Sequence, residues 1–268
     1  DGIPTIVDFF GTRLAKEIVA EHGQADLVIA NNVMAHVPDL NDFVEGMATL
    51  VAPTGLITVE NPAVGELIER CEFDTVYHEH YCYFSSLAVD RLMRSHGLSL
   101  NHVDHFPDLH GGTDRWSVGR EVAPDRTVEE DLAAERAAGL DTAAAYESFA
   151  GRVRSVQDEL RRLLRQLKDE GKSIAAYGAA AKGATLLNST GIGRDLVDFV
   201  VDRNTHKQGH LVPGSLLPIL PPEALLERRP DYVVLLAWNL AKEIVAQQDA
   251  YLQTGGRFIV PVPWPQIV

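Results

Sequence analysis

The sequence predicts an α/β fold built from two successive α/β units, and three observations carry that expectation. Asp26 to Asn32 (DLVIANN) and Leu56 to Glu60 (LITVE) are short apolar runs separated by a helical pattern. Such strand–helix–strand alternation marks an open α/β sheet. Tyr146 to Leu167 then places Phe149, Val153, Val156, Leu160, Leu163, Leu164 and Leu167 at helical spacing, as a long amphipathic helix requires. Beyond that helix the alternation resumes at Ser173.

The elements follow in order. Asp39 has the short acceptor side chain of an N-cap and precedes a helix with Phe43, Met47 and Leu50 on one face. Gly55 closes that unit before the strand Leu56 to Glu60. From about Thr127 to Lys168 the chain turns rich in Ala, Glu, Arg and Leu, and its long helix is read as joining two lobes. Ser173 to Tyr177 is a strand, Gly178 a tight turn, and Ala180 to Asn188 a helix. Gly191-Ile192-Gly193 follows that helix and reads as a C-cap and turn. Leu196 to Val201, Tyr232 to Leu236 and Arg257 to Val260 are further strands, with helices around Pro222 to Leu226 and Asn239 to Gln247. The expected boundaries are an α/β portion over 1–120, a helical linker over 121–171, and a C-terminal α/β domain over 172–268.

Composition narrows the classes of function. A formal net charge of −14 argues against a nucleic-acid surface, since phosphate neutralisation needs clustered Lys and Arg. Two cysteines, Cys71 and Cys82, are too few for a disulfide framework or a four-thiolate zinc site and suit reduced thiols in the cytoplasm. No apolar run reaches the roughly 18 residues of a membrane helix, so no membrane partner is expected.

The densest chemistry lies in Tyr77-His78-Glu79-His80-Tyr81, followed by Tyr83-Phe84-Ser85. Histidine is the side chain whose ordinary pKa lies nearest neutrality, and a carboxylate beside it orients it or holds its charged form. His36, a few residues past Asn31-Asn32, is placed to face the same strand edge. A metal reading of His78-x-His80-x-Cys82 lacks a second ligand group of recognisable spacing, so no metal is expected. No G-x-G-x-x-G occurs. Gly178-Ala-Ala-Ala-Lys182-Gly183 follows a strand and opens a helix, and its lysine suits an anion as well as simple packing suits its glycines. Asp202 to Gly209 and Trp238-Asn239 also follow strands, at the edge where ligands of open α/β sheets gather.

Seven segments, in order along the chain, resemble one family: ANNVMAHVPDL (Ala30 to Leu40), VENP, YHEHYCYFS, HGGT (His110 to Thr113), YGAAAKGATLLN, VDRNTHKQGHLVPG and PI. Together they are similar to the SAM-dependent sugar C-methyltransferases, which act on nucleotide-linked 4-keto deoxysugars, typically dTDP-linked, in natural-product pathways. The resemblance implies part of a Rossmann-like SAM methyltransferase sheet, then a helical linker and a second Rossmann-like domain that helps hold the sugar nucleotide. The family's N-terminal zinc domain and glycine-rich SAM motif have no counterpart here, so zinc is expected only in a missing N-terminal portion of the same protein. Thr113-Asp114-Arg115-Trp116 departs from the Ser, small apolar, Arg pattern that follows His-Gly-Gly in the family.

The resemblance further implies C3 methylation through a base-generated enolate. His80 is then the expected base and Glu79 its support. Tyr77 and His36 would contact the 4-keto or enolate oxygen. Phe10, Asn31 and Asn32 would meet SAM, while Lys182, Arg203, Asn204, Lys207 and Asn239 would meet the sugar nucleotide. Two rivals stand beside this reading. One is a catalytically silent sugar-nucleotide-binding module; the other is a dehydrogenase-like enzyme, which the missing paired glycines disfavour.

Overall fold

The structure is a computed structural model that describes every residue except 1, 108, 110 and 121. It divides into two compact units: Asp1–Leu67 with His78–Tyr146, and Ile68–Tyr77 with Glu147–Val268. Residues 121–171, read as a linker, are thus shared between the two.

The first unit opens with α1 (Thr12–His22) and β1 (Ala25–Asn31), followed by α2 (Leu40–Leu50) and β2 (Val51–Pro62). Asp39 caps α2 as expected, its Oδ1 accepting from the Asp42 N–H at 3.1 Å. Phe43 and Met47 point into the core. β2 begins earlier than the sequence suggests, running through Gly55 rather than starting after it. A Cβ on Gly55 would stand 2.8 Å from the Ala25 carbonyl oxygen, so the glycine lets β2 pass close to β1 where the register shifts between Ala25 and Leu27.

The sheet of this unit has the order β1-β2-β4-β3, with β3 (Ser99–Phe106) and β4 (Thr113–Gly119) added antiparallel. Among the described residues β1 pairs only with β2 and is an edge. Leu27 and Ile29, expected in a buried parallel strand, are 52% and 64% exposed. Ile57, Val59, Trp116, Val118 and Leu100 form the core with α2 and α4 (Ser86–Ser95). The buried Trp116 indole donates to Ser86 Oγ at 2.7 Å. Asp125 caps α5 (Arg126–Ala137). The first stretch of this unit ends at Leu67, within α3 (Val64–Glu69).

In the second unit α6 (Ala143–Asp169) buries Val156, Leu160, Leu164 and Leu167, the stripe its spacing predicts. The sheet runs β10-β9-β8-β5-β6-β7, parallel throughout except for β10 (Gln266–Ile267). Its strands are β5 (Ile174–Tyr177), β6 (Val200–Val201), β7 (Ile219–Leu220), β8 (Tyr232–Leu235) and β9 (Arg257–Val260). Alternate residues enter different cores: Ile174 and Ala176 pack with α6, and Ala175 and Tyr177 pack with Tyr251 and Phe258. Both faces are therefore covered, which is why these strands read as unbroken apolar runs.

α7 (Ala181–Thr190) ends at Gly191, left-handed with φ 67°, as the C-cap reading requires. The strand expected over Leu196 to Val201 is confined to its last two residues. Leu196 and Val197 instead turn back to bond the Gly193 carbonyl. α8 (Ala224–Arg228), α9 (Ala241–Gln247) and α10 (Asp249–Gln253) complete the unit. Among the described residues no helix is long and apolar enough to cross a membrane, and no group of three or more His, Cys, Asp and Glu could hold a metal ion.

Candidate functional site

The carboxyl ends of β1 and β2 lie at one edge of the first sheet because the two strands are parallel. β3 ends at that edge and β4 starts there, since each is antiparallel to its neighbour. The chain leaves β1 at Asn32, whose φ of 53° is left-handed, a conformation asparagine tolerates better than most residues. Its N–H bonds the Glu60 carbonyl at 2.6 Å and its Nδ2 reaches Glu60 Oε1 at 3.4 Å. Glu60 is only 5% exposed, and Arg115 of β4 donates to its Oε2 from Nε and Nη2 at 3.0 and 2.6 Å. That charged pair anchors the turn.

One short 3-10 turn, Met34–His36, follows. The Ala35 N–H donates to Asn61 Oδ1 at 3.3 Å, and the Ala35 carbonyl accepts from Tyr81 at 2.8 Å and Cys82 at 3.3 Å. These bonds bring the His78–Ser85 segment back across the end of β1. His36 Nδ1 then stands 2.8 Å from the Glu79 carbonyl oxygen. A carbonyl only accepts, so Nδ1 carries the proton and Nε2 is the open position of the neutral ring. The His36 and His80 rings lie 4.9 Å apart between centroids, and Tyr83 meets His80 edge-on at 5.8 Å.

His36, Glu79 and His80 are therefore neighbours, with the Glu79 contribution made by its backbone while its side chain is exposed. His78 is exposed as well. Tyr77 is half-buried and falls in the second unit. Asn31 and Asn32 are exposed at the end of β1, and Phe10 packs edge-on against Phe43 at 5.5 Å. His110 of the HGGT segment lies outside the described residues.

Sequence reading singled out Asp114 as a departure from the family pattern but not the polar group that it joins at this edge. Asn61, Asp114 and His105 are register partners across β2, β4 and β3. His105 is clasped by Asp114 at 2.7 Å and Glu66 at 3.2 Å. Burial works against its charge, but the two carboxylates push its pKa up overall. Burial pushes the Asp114 carboxyl up, against the His105 bond. The available signal was positional: Asp114 is the second residue of the strand that follows the double glycine.

In the second unit the predicted ligand residues also sit at a carboxyl edge, that of β5, β6 and β8. Gly178 leaves β5 with φ 97°, where a Cβ would be 2.9 Å from that of Ala237. The following peptide is bracketed: Asp202 Oδ2 accepts from the Ala179 N–H at 2.7 Å, and Lys207 donates to the Ala179 carbonyl at 2.9 Å. Asn204 receives the His206 N–H at 2.9 Å and Arg203 reaches Gln247 at 3.1 Å. Lys182 donates to Asn239 Oδ1 at 3.1 Å and rides over the Trp238 ring at 3.9 Å. The Trp238 indole donates to the fully buried Asp74 at 2.7 Å. Burial drives the Lys182 pKa down, opposed by Asp74 and Glu72.

Fold and site together define an α/β protein with acid–base side chains gathered at the carboxyl edge of one sheet and basic and amide side chains at that of another. Residues 5–103 match the family described as methyltransferase domain, and residues 108–263 match that described as C-methyltransferase C-terminal domain. The chain belongs to the C-methyltransferase family. C-methyltransferase NovU of Streptomyces niveus is 40% identical over 272 residues, covering all of this chain and 64% of that protein. The chain thus spans a little under two thirds of the length of that curated relative. The crystal structure of M1.HpyAVI aligns with 43% of this chain and 55% of its own at 11% identity and a TM-score of 0.28, a likeness too low to bear on fold or function.

Proposed function

We propose that the full protein is a SAM-dependent C-methyltransferase that acts on C3 of a dTDP-linked 4-keto deoxysugar. The observation that carries this reading is the convergence of His36, His80 and Tyr83 at one sheet edge in a chain that matches C-methyltransferases along its length.

A C4 ketone acidifies the adjacent C3–H. His80 removes that proton, leaving an enolate, and general base catalysis of this kind contributes about 10²–10⁴-fold. The exposed Glu79 carboxylate passes the proton from His80 to water. The enolate oxygen needs a donor aimed at its developing charge. His36 serves in its imidazolium form, because Nδ1 is committed to the Glu79 carbonyl and Nε2 then carries the second proton. Tyr77 is the other proposed oxygen contact. When bound, SAM supplies the electrophilic methyl group that C3 takes.

The residues present fit part of that cofactor. Asn31 and Asn32 are exposed amides at a strand's carboxyl end, and the chain around Phe10 and Gly11 crosses α2 where Gly46 leaves no room for a Cβ, 2.8 Å from the Gly11 backbone. The glycine-rich part of the SAM site is proposed to lie in the portion of the full protein that this chain does not span. Arg203, Asn204, Lys207 and Asn239 are the proposed contacts of the diphosphate and nucleoside, with Lys182 beside them.

The test is methyl transfer from SAM to a dTDP-4-keto-6-deoxysugar by full-length protein, with the new methyl located by NMR. A methyl at C3 that His80→Asn fails to install supports the proposal. A product methylated on oxygen, or full turnover by His80→Asn, sinks it.

A further inference from the structure

His36 and His80 are joined by two hydrogen bonds that use the peptides on either side of His80. The Tyr81 N–H, from the peptide after His80, donates to the Ala35 carbonyl at 2.8 Å, and that carbonyl belongs to the peptide before His36. The Glu79 carbonyl, from the peptide before His80, accepts from His36 Nδ1 at 2.8 Å. The two histidines are therefore clasped together, with their rings 4.9 Å apart. Every residue of this clasp lies in the first unit.

The clasp fixes the histidines against each other and leaves their place on the sheet to be set. The turn that bears His36 is a single 3-10 turn, Met34–His36, closed by the His36 N–H on the Val33 carbonyl. Short turns of this kind have poor hydrogen-bond geometry and hold little on their own. Asn61, one residue from the end of β2 and 1% exposed, supplies a tie: its Oδ1 accepts from the Ala35 N–H at 3.3 Å. Ala35 is thus held at both polar ends, by Asn61 through its N–H and by Tyr81 through its carbonyl. Asn61 Nδ2 is buried with no partner among the described residues. An unpaired buried donor lowers stability, a cost that an apolar side chain of the same branching would not carry. Stability alone therefore does not call for an amide here, whereas an acceptor aimed at Ala35 does.

We infer that Asn61 is a positioning residue for the acid–base pair: by accepting from Ala35 it sets the clasped His36 and His80 at the carboxyl edge of the first sheet. The inference rests on the proposed roles of His36 and His80.

The experiment is exchange of the C3 proton into D2O, catalysed by full-length enzyme with a dTDP-4-keto-6-deoxysugar and S-adenosylhomocysteine, so that no methyl transfer occurs. Wild type and His80→Asn are measured alongside, and sugar-nucleotide affinity is followed by calorimetry. Asn61→Leu keeps the branching and removes the acceptor, and Asn61→Ala removes it with less bulk. Both are expected to slow exchange about tenfold or more with affinity within about threefold, since a small displacement of a catalytic group suffices for such a loss. The carboxyl introduced by Asn61→Asp stands in register with the buried Asp114. It therefore keeps its proton and still offers an oxygen to Ala35. Asn61→Asp is expected to exchange about fivefold faster than Asn61→Leu, or more. Wild-type exchange in Asn61→Leu and Asn61→Ala overturns the inference. So does affinity lost in step with exchange, or exchange by Asn61→Asp no faster than by Asn61→Leu. No exchange by the wild type, or undiminished exchange by His80→Asn, refutes the acid–base reading itself and takes the inference with it.

Discussion

His36 donates from Nδ1 to the main-chain carbonyl of Glu79 at 2.8 Å, which ties a side chain beside β1 to the segment bearing His80. The bond selects one tautomer and holds the His36 ring 4.9 Å from that of His80. Replacing His36 by Ala removes both the tie and the proposed oxygen donor. The expected result is a fall in kcat of about 10²–10³-fold, the usual cost of losing one donor to a developing oxyanion. KM for the sugar nucleotide should change little, because the donor acts on charge that appears only during reaction. Steady-state kinetics of full-length His36→Ala decide it, and an unchanged kcat removes His36 from the chemistry.

Arg115→Ala leaves the buried Glu60 without its two charged donors. Leaving a buried acceptor unpaired costs about 1–3 kcal/mol, and more for a charged one. Arg115 itself is 38% exposed, so water recovers part of the loss and the lower half of that range is expected. Thermal unfolding should then show a Tm lower by about 2–6 °C for a chain of this size. Arg115→Lys keeps the charge but not the forked geometry and should fall between. A Tm equal to wild type in Arg115→Ala would mean that the pair does not anchor the Asn32 turn.

The fold was legible where burial leaves a periodic trace. α6 shows its buried stripe in the spacing of Val156, Leu160, Leu164 and Leu167, and β5 and β8 show theirs as runs covered on both faces. β3 and β4 were not legible, because His102, Asp104, Asp114 and Arg115 interrupt the apolar residues and look like loop. Their partners are distant in sequence: Arg115 pairs with Glu60 of β2, Asp114 with His105, itself bonded to Glu66 of α3, and His102 with Asp125 at the start of α5. The His36–His80 meeting was readable in part, since both follow strands that end at one edge. The Asp74–Trp238 bond was not, because it joins positions 164 residues apart and nothing in the local sequence of either names the other.

Two glycines give opposite expectations for the same substitution. Gly112 has φ 124°, and a Cβ there would lie 2.5 Å from Glu66 Cγ. Gly112→Ala therefore strains the backbone and pushes Glu66 off His105, with a loss of about 1–3 kcal/mol. Gly151 lies within α6 with open space around it. Gly151→Ala should stabilise the protein by about 0.5–1 kcal/mol, the helix-interior difference between the two residues. Urea titration of both variants measures the contrast, and a stabilised Gly112→Ala would contradict the Glu66 contact.

Glu135 gives the protein a pH dependence of definite sign. Its Oε1 and Oε2 accept from the Ser86 and Leu87 N–H groups at 2.7 and 2.8 Å, at the start of α4. Burial nevertheless pushes its pKa from 4.5 to about 7, with Asp131 and Asp114 adding to the rise. The folded protein thus keeps a proton on Glu135 that the unfolded chain has released, across the window from 4.5 to about 7. Folding binds protons there, so stability falls as pH rises through it, by on the order of 3 kcal/mol in total. His105, whose pKa is raised overall, acts in the same direction, since stability from a raised histidine is lost as pH climbs past it. Asp125, held down to about 2, opposes this only below its ordinary 3.8. Glu135→Gln keeps one acceptor for the α4 amides and removes the titration. Urea unfolding at about pH 5 and about pH 7 should show the wild type losing stability between them and Glu135→Gln losing much less. Equal losses in the two proteins would assign the dependence to other groups.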